Sequence, residues 1–256
     1  MTDARTLGLA ALSLSLLGTA CGVEDGARVG ASRAEITNGT YDPYDHQVVK
    51  VYPPGAALPC TGTLIGRKTI LTAAHCLGDG STTVTVSGEA GVYDPSLGRS
   101  YWDPYTVQGT PVLQAGSDVA LVILPMNIPM NIPGTGPSRV ASAVWAGLPI
   151  TLVGFGQTAL DVGGGTRYLA SNTIDSVDPT QWYFTGVGGS DGATCHGDSG
   201  GPAYRTSTDC ILGITRGENL PATCTDAGGS YIDTRVDTQL GWIQGHAPEA
   251  ITACSP

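Results

Sequence analysis

Charge is scarce in this chain of 256 residues: only 13% are Asp, Glu, Lys or Arg, and the net charge is −10. The twelve Lys and Arg nowhere gather into a cluster. A nucleic-acid surface needs a basic stripe to neutralise phosphates, so that class is excluded. Long apolar runs are also lacking. After the first twenty residues no segment is long and apolar enough to span a bilayer as a helix. There is no internal repeat and no heptad pattern, which removes solenoids and coiled coils and leaves a monomer as the expectation. Once the cysteines are given to disulfides, no set of His, Cys and carboxylates keeps metal-ligand spacing, so neither metal nor cofactor is expected.

Glycine and proline are plentiful instead, at 37 and 17 residues, alongside 41% hydrophobic residues. That balance describes a globular, turn-rich, mostly β protein. Short apolar runs recur between turn residues: Val48 to Tyr52, Gly62 to Gly66, Thr82 to Val86 and Val119 to Leu124. The pattern resumes in Ile150 to Gly156, Gln181 to Phe184 and Ile211 to Thr215. Runs of this length and spacing predict antiparallel strands in barrels or sandwiches. Pro125 to Pro137 holds four prolines and no charge, and marks the join between two halves. Near the end, Asp237 is expected to cap a short amphipathic helix through Leu240, Trp242 and Ile243.

Residues 1–20 read as an export signal, with Arg5, an apolar run from Leu7 to Leu17, and then Gly18-Thr19-Ala20. Residues 21–35 are small, polar and patternless, which suits a propeptide or a tether. Of the seven cysteines, setting Cys21 aside leaves six, an even number suited to three disulfides in an oxidising compartment. Two readings of Cys21 stand. It resembles the lipid-modified cysteine of bacterial lipoproteins, although Gly18 occupies the usual Leu position, or cleavage falls beyond it. The protein is accordingly expected to be secreted, or else held at the cell envelope by lipid, its only tie to a membrane.

Three stretches carry chemistry. Cys195-His196-Gly197-Asp198-Ser199-Gly200-Gly201-Pro202 sets a serine hydroxyl on a tight glycine turn, where free backbone N–H groups can receive a developing oxyanion. Thr72-Ala73-Ala74-His75-Cys76 offers an imidazole, the side chain that titrates near neutrality. Ser117-Asp118-Val119-Ala120-Leu121 offers a carboxylate entering an apolar run, with Asp103 its nearest competitor. In that order these stretches resemble the chymotrypsin/trypsin-like serine peptidases, in a secreted, bacterial-type form. The likeness runs from Ile36 to Gly245. It implies an all-β peptidase domain over 36–256, built as two antiparallel six-stranded barrels (36–130 and 138–245) with a short C-terminal helix and the active cleft between them.

The resemblance also implies roles. Ser199 is the nucleophile, His75 the general base and acid, and Asp118 the residue that orients His75. The N–H groups of Gly197 and Ser199 form the oxyanion hole. A cut before Ile36 frees an α-amino group to pair with Asp198, although Thr37-Asn38 stands where Val-Gly is usual. Cys60 pairs with Cys76 and Cys195 with Cys224, which leaves Cys210 and Cys254 for each other. The primary specificity pocket falls to Ala193, Thr194, His196, Thr215, Arg216 and Gly217. Ala193 stands where trypsin-like members carry Asp, so a basic preference has no support unless a loop shift brings in Asp191. Arg216 with His196 and Thr194 suggests an acidic preference, and Glu35 before Ile36 would then permit self-activation. Against it stands a small apolar pocket with Arg216 in solvent. The substrate is a peptide or protein. The alternative to an enzyme is a catalytically silent relative that uses the same fold for binding.

Overall fold

Alternation explains the first half. In β2 (Val48–Tyr52), Val49 and Val51 face one buried cluster while Val48 joins another. The split recurs in β3 (Cys60–Gly66) between Leu64 and Ile65, and in β4 (Thr69–Thr72) between Ile70 and Leu71. It recurs again in β7 (Ala120–Ile123), where Ala120 and Val122 face one way and Leu121 the other. Successive residues of a strand point to opposite faces, so an unbroken apolar run means that both faces are covered. One face lines a closed barrel in the order β2-β3-β4-β7-β6-β5, completed by β5 (Val84–Asp94) and β6 (Arg99–Leu113). The other face packs against the second half of the chain.

This is a computed structural model, and the residues it describes are 36–78, 83–94, 99–130, 136–157, 163–186, 191–219, 224, 228–247 and 253–255. The leader over 1–20 and the stretch 21–35, with Cys21 and Glu35, lie outside them.

The second half builds a ten-stranded sheet ordered β1-β10-β9-β13-β14-β15-β12-β11, with two strands attached at its side; β1, from the start of the stretch expected to form the first barrel, joins it by pairing with β10. Its members are β1 (Thr40–Tyr41), β9 (Pro149–Gly154), β10 (Tyr168–Thr173), β11 (Ser176–Val177), β12 (Gln181–Gly186), β13 (Pro202–Arg205), β14 (Cys210–Asn219) and β15 (Gly229–Arg235). The two attached strands run parallel to their neighbours: β8 (Arg139–Ala141) beside β14, and β16 (Ala253–Cys254) beside β8. The two halves differ in how they close. The first is sealed by a continuous ladder, whereas in the second Asn172 of β10 reaches across and donates from Nδ2 to the Thr185 carbonyl of β12 at 3.1 Å. The same Nδ2 also meets the Gly192 carbonyl at 2.9 Å. One side chain thus links the strands that a second closed barrel would join.

Trp182, Phe184 and Tyr231 fill the interior, with Phe184 stacked on Tyr231 at 5.2 Å and Trp182 tilted against Phe184 at 5.7 Å. Gly213 makes room for them, because a Cβ there would fall 2.4 Å from the Trp182 indole nitrogen. The C-terminal helix α1 (Leu240–His246) follows a 3-10 turn over Asp237–Gln239 and carries no side-chain cap. Asp237 does not cap it. Its carboxylate is held by the Arg235 guanidinium at 3.0 and 2.7 Å, a stronger bidentate contact that removes the expected cap.

Candidate active site

The register of β4 on β7, with Thr72 opposite Ala120, sets the residues after Thr72 beside those before Ala120. His75, on the 3-10 turn Ala74–Leu77, therefore meets Asp118. Its backbone N–H donates to Asp118 Oδ1 at 2.9 Å, and its ring Nδ1 lies 2.8 Å from Oδ2. Burial alone pushes the Asp118 carboxyl up. The hydrogen bonds from His75, with the charges of His75 and Arg216, outweigh that and hold it below the usual carboxylate range. Nδ1 is thereby committed, which leaves Nε2 of the half-exposed imidazole to carry any proton transfer.

Between β4 and the serine loop stands Thr61 of β3. Its N–H donates to the Ser199 carbonyl at 2.9 Å, and its hydroxyl donates to the Gly197 carbonyl at 2.8 Å. Thr72, three residues before His75, donates its own hydroxyl to the Thr61 carbonyl at 2.8 Å. Cys76, next to His75, places its disulfide sulfur 3.4 Å from the Ser199 carbonyl oxygen. Gly200 is packed into this junction at φ +81, where a Cβ would fall 2.2 Å from Thr72 Oγ1. The imidazole turn and the serine loop are thus two edges of one clamp. Nothing in the sequence pattern singles out Thr61 beyond its place after Cys60.

The loop is fixed from behind as well. The fully buried Asp198 carboxylate accepts the N–H groups of Gly156 and Cys195, each at 2.8 Å. Gly154 and Gly156 are needed for that fit, since a Cβ on either would strike the carboxylate. Among the described residues the N–H groups of Gly197 and Ser199 have no acceptor. Ile36 is fully buried in the core of the second half, and Thr37 bridges to Ala193 in both directions, at 3.0 and 3.3 Å.

Among the described residues three disulfides are present, Cys60–Cys76, Cys195–Cys224 and Cys210–Cys254. The two sulfurs that lie near His75 belong to the first, so neither is a thiolate.

Residues 36–243 match the family model described as Trypsin. The chain belongs to the trypsin family. It is 29% identical to a collagenase of Hypoderma lineatum over 209 residues, which is 72% of this chain and 75% of that one. It is 28% identical to a trypsin-like protease of Streptomyces glaucescens over 166 residues, 58% of this chain and 60% of that one. A solved structure of HL collagenase superposes with a TM-score of 0.65 at 22% identity, covering 84% of this chain and all of that one, a likeness of fold.

Thr194, His196, Thr215 and Gly217 line a cavity of about 40 Å³ beside Ser199 and Cys195. Ala193 is buried behind it, in the bridge to Thr37. Asp191 is not among the lining residues. Arg216 faces elsewhere, lining a separate open hollow with His75, Gly116, Ser117 and Asp118, its Nε 3.7 Å from Asp118 Oδ2.

Proposed function

We propose that the chain is a secreted serine endopeptidase, made as a precursor and activated by cleavage before Ile36. The observation that carries the reading is the clamp through Thr61 and Cys76, which joins the His75–Asp118 pair to the Ser199 loop. The Ser199 oxygen attacks the scissile carbonyl while His75 takes the hydroxyl proton. The carbonyl oxygen becomes an oxyanion that the N–H groups of Gly197 and Ser199 receive, which agrees with their having no acceptor among the described residues. His75 returns the proton to the leaving amine, and the acyl-enzyme forms as the peptide C–N bond breaks. Water, deprotonated by His75, then releases the acid and regenerates Ser199. Asp118 holds the tautomer and stabilises the imidazolium throughout.

For activation, the freed ammonium of Ile36 pairs with Asp198. Burial of both residues, and the Thr37–Ala193 bridge that brings the segment to the serine loop, support this. A paired charge in so dry a place is stable where a lone one is costly. The cavity beside Ser199 is lined by Thr194, His196, Thr215 and Gly217 with no carboxylate among its described residues, and Ala193 is buried next to Thr194, so a small, uncharged side chain is preferred at the cleaved bond. Export rests on the leader and the three disulfides. Retention by lipid at Cys21 is the alternative destination.

The test is a fluorophosphonate probe applied to the processed protein, with mass mapping of the label and of the mature N-terminus. Label on Ser199 in a chain beginning at Ile36 is the expected result. Ser199→Ala should take no label and turn over on the order of a millionfold more slowly. A chain that begins at Ile36 and takes no label overturns the enzyme and leaves a binding protein of peptidase fold.

A further inference from the structure

The strand that borders the small cavity also sets the direction of Arg216. In β14, Thr215 lies opposite Asp233 of β15 and Gly217 opposite Ile232, so the register slips and Arg216 has no partner across the ladder. A bulge of this kind bends the strand and re-aims the extra side chain. Thr215 and Gly217 line the cavity beside Ser199, and Arg216 between them points to His75 and Asp118. Its Nε stands 3.7 Å from Asp118 Oδ2, beyond hydrogen-bonding distance. Among the described residues Arg216 donates no hydrogen bond, and its side chain is 45% exposed. The planar fork of the guanidinium is therefore open to a ligand on the rim of the His75 hollow.

We propose that Arg216 is a specificity residue that selects an acidic side chain at the substrate position immediately before the residue whose carbonyl is cleaved. This rests on the hydrolytic reading of Ser199. A peptide laid along β14 in extended form alternates its side chains between two faces. When one side chain enters the cavity beside Ser199, the preceding one turns to the other face, where the hollow of about 570 Å³ is lined by His75 and Arg216. A carboxylate there meets the guanidinium in the bidentate geometry that the fork favours. Asp118 shares the charge of Arg216 at 3.7 Å but accepts no hydrogen bond from it, so the guanidinium N–H groups are left for the substrate carboxylate. During turnover the imidazolium adds a second cation to the same hollow, so the acidic side chain is held more strongly as the barrier is crossed.

The test uses paired fluorogenic peptides with a small residue at the cleaved bond and Glu, Gln or Lys before it. Their kcat/KM values are measured on the processed protein, on Arg216→Gln and on Arg216→Glu. The wild-type ratio of Glu to Gln should be about tenfold or more, the scale of a charge-assisted hydrogen bond. It should fall to about one in Arg216→Gln, and Arg216→Glu should favour Lys. A flat ratio in the wild type, or a preference that survives in Arg216→Gln, overturns the proposal. Fluorophosphonate labelling of the same samples separates the two readings. Label on Ser199 with a flat ratio sinks Arg216 alone, whereas an unlabelled chain that begins at Ile36 sinks the hydrolytic reading and this proposal with it.

Discussion

Asp118 satisfies two donors of one residue, and that double contact decides what a change there does. The backbone N–H of His75 fixes the turn, and the ring contact fixes the tautomer. Asp118→Asn keeps the shape but replaces one accepting oxygen with a donor, so the ring must present its unprotonated nitrogen inward and the wrong one to Ser199. The expected outcome is a kcat lower by about 10⁴-fold with the fold retained. Peptide turnover and a thermal melt of the same sample check it; a kcat within tenfold of wild type would remove Asp118 from the mechanism. The pH dependence has a definite sign as well. The Asp118 carboxyl lies below its ordinary range. Its contribution to stability is therefore present above the unfolded-state value near 4 and is lost as pH falls through the lower native value.

At the scale of elements, two disulfides of comparable expected stabilisation are expected to do different things. Cys60–Cys76 closes 16 residues and joins β3 to the His75 turn, with one sulfur against the Ser199 carbonyl. Cys210–Cys254 closes 44 residues and ties β16 to β14, away from the clamp. Chain entropy assigns them about 3 and about 4 kcal/mol. Replacing either pair with alanines should lower denaturation midpoints comparably. Only loss of Cys60–Cys76 should also lower kcat in the folded fraction, by on the order of tenfold or more, because the imidazole turn loses its anchor. Equal kcat values in the two variants would mean that Thr61 and Thr72 hold the turn unaided. What could be read in the sequence follows the same division. The strands were legible because short apolar or alternating runs such as Val119 to Leu124 and Gln181 to Phe184 recur between turn residues, and the His75, Asp118 and Ser199 motifs were legible because each is local. The direction of Arg216 was not, since a bulge depends on the register of β14 on β15 and leaves no local mark. Asn172, which links β10 to β12, and Thr61 escaped for a similar reason, as each acts on carbonyls distant in sequence. The cap assigned to Asp237 failed because a nearer cation, Arg235, takes its carboxylate.

Over the whole molecule, the site spans a seam between two halves, so its geometry depends on what holds the seam. Apolar contacts supply part of this, with Val48, Ile65, Leu71 and Leu121 of the first half buried in the cluster of the second. A polar network supplies the rest. Buried Asp42 pairs with buried Arg167 at 2.9 Å, and Asp45 accepts from Gln47, whose amide also reaches the Tyr204 hydroxyl at 3.4 Å. Burial, with the nearby Asp42 charge, pushes the Asp45 carboxyl up to about 6. The native state thus keeps a proton there that the unfolded chain releases near pH 4. Folding is favoured by that difference at low pH, and the advantage is lost as pH rises from about 4 through about 6, at a slope of at most about 1.4 kcal/mol per pH unit. Asp118 and other carboxyls with lowered values act in the opposite direction, so the raw profile of the protein mixes the two. Comparing wild type with Asp45→Asn isolates the seam. The amide keeps an acceptor for Gln47 and removes the titration, so the variant should gain stability over wild type steadily between pH 4 and pH 6 and hold a constant lead above that. Urea denaturation at several pH values reads the difference directly. A difference that does not change across this range would mean that Asp45 ionises as an ordinary carboxyl and that the seam is indifferent to it.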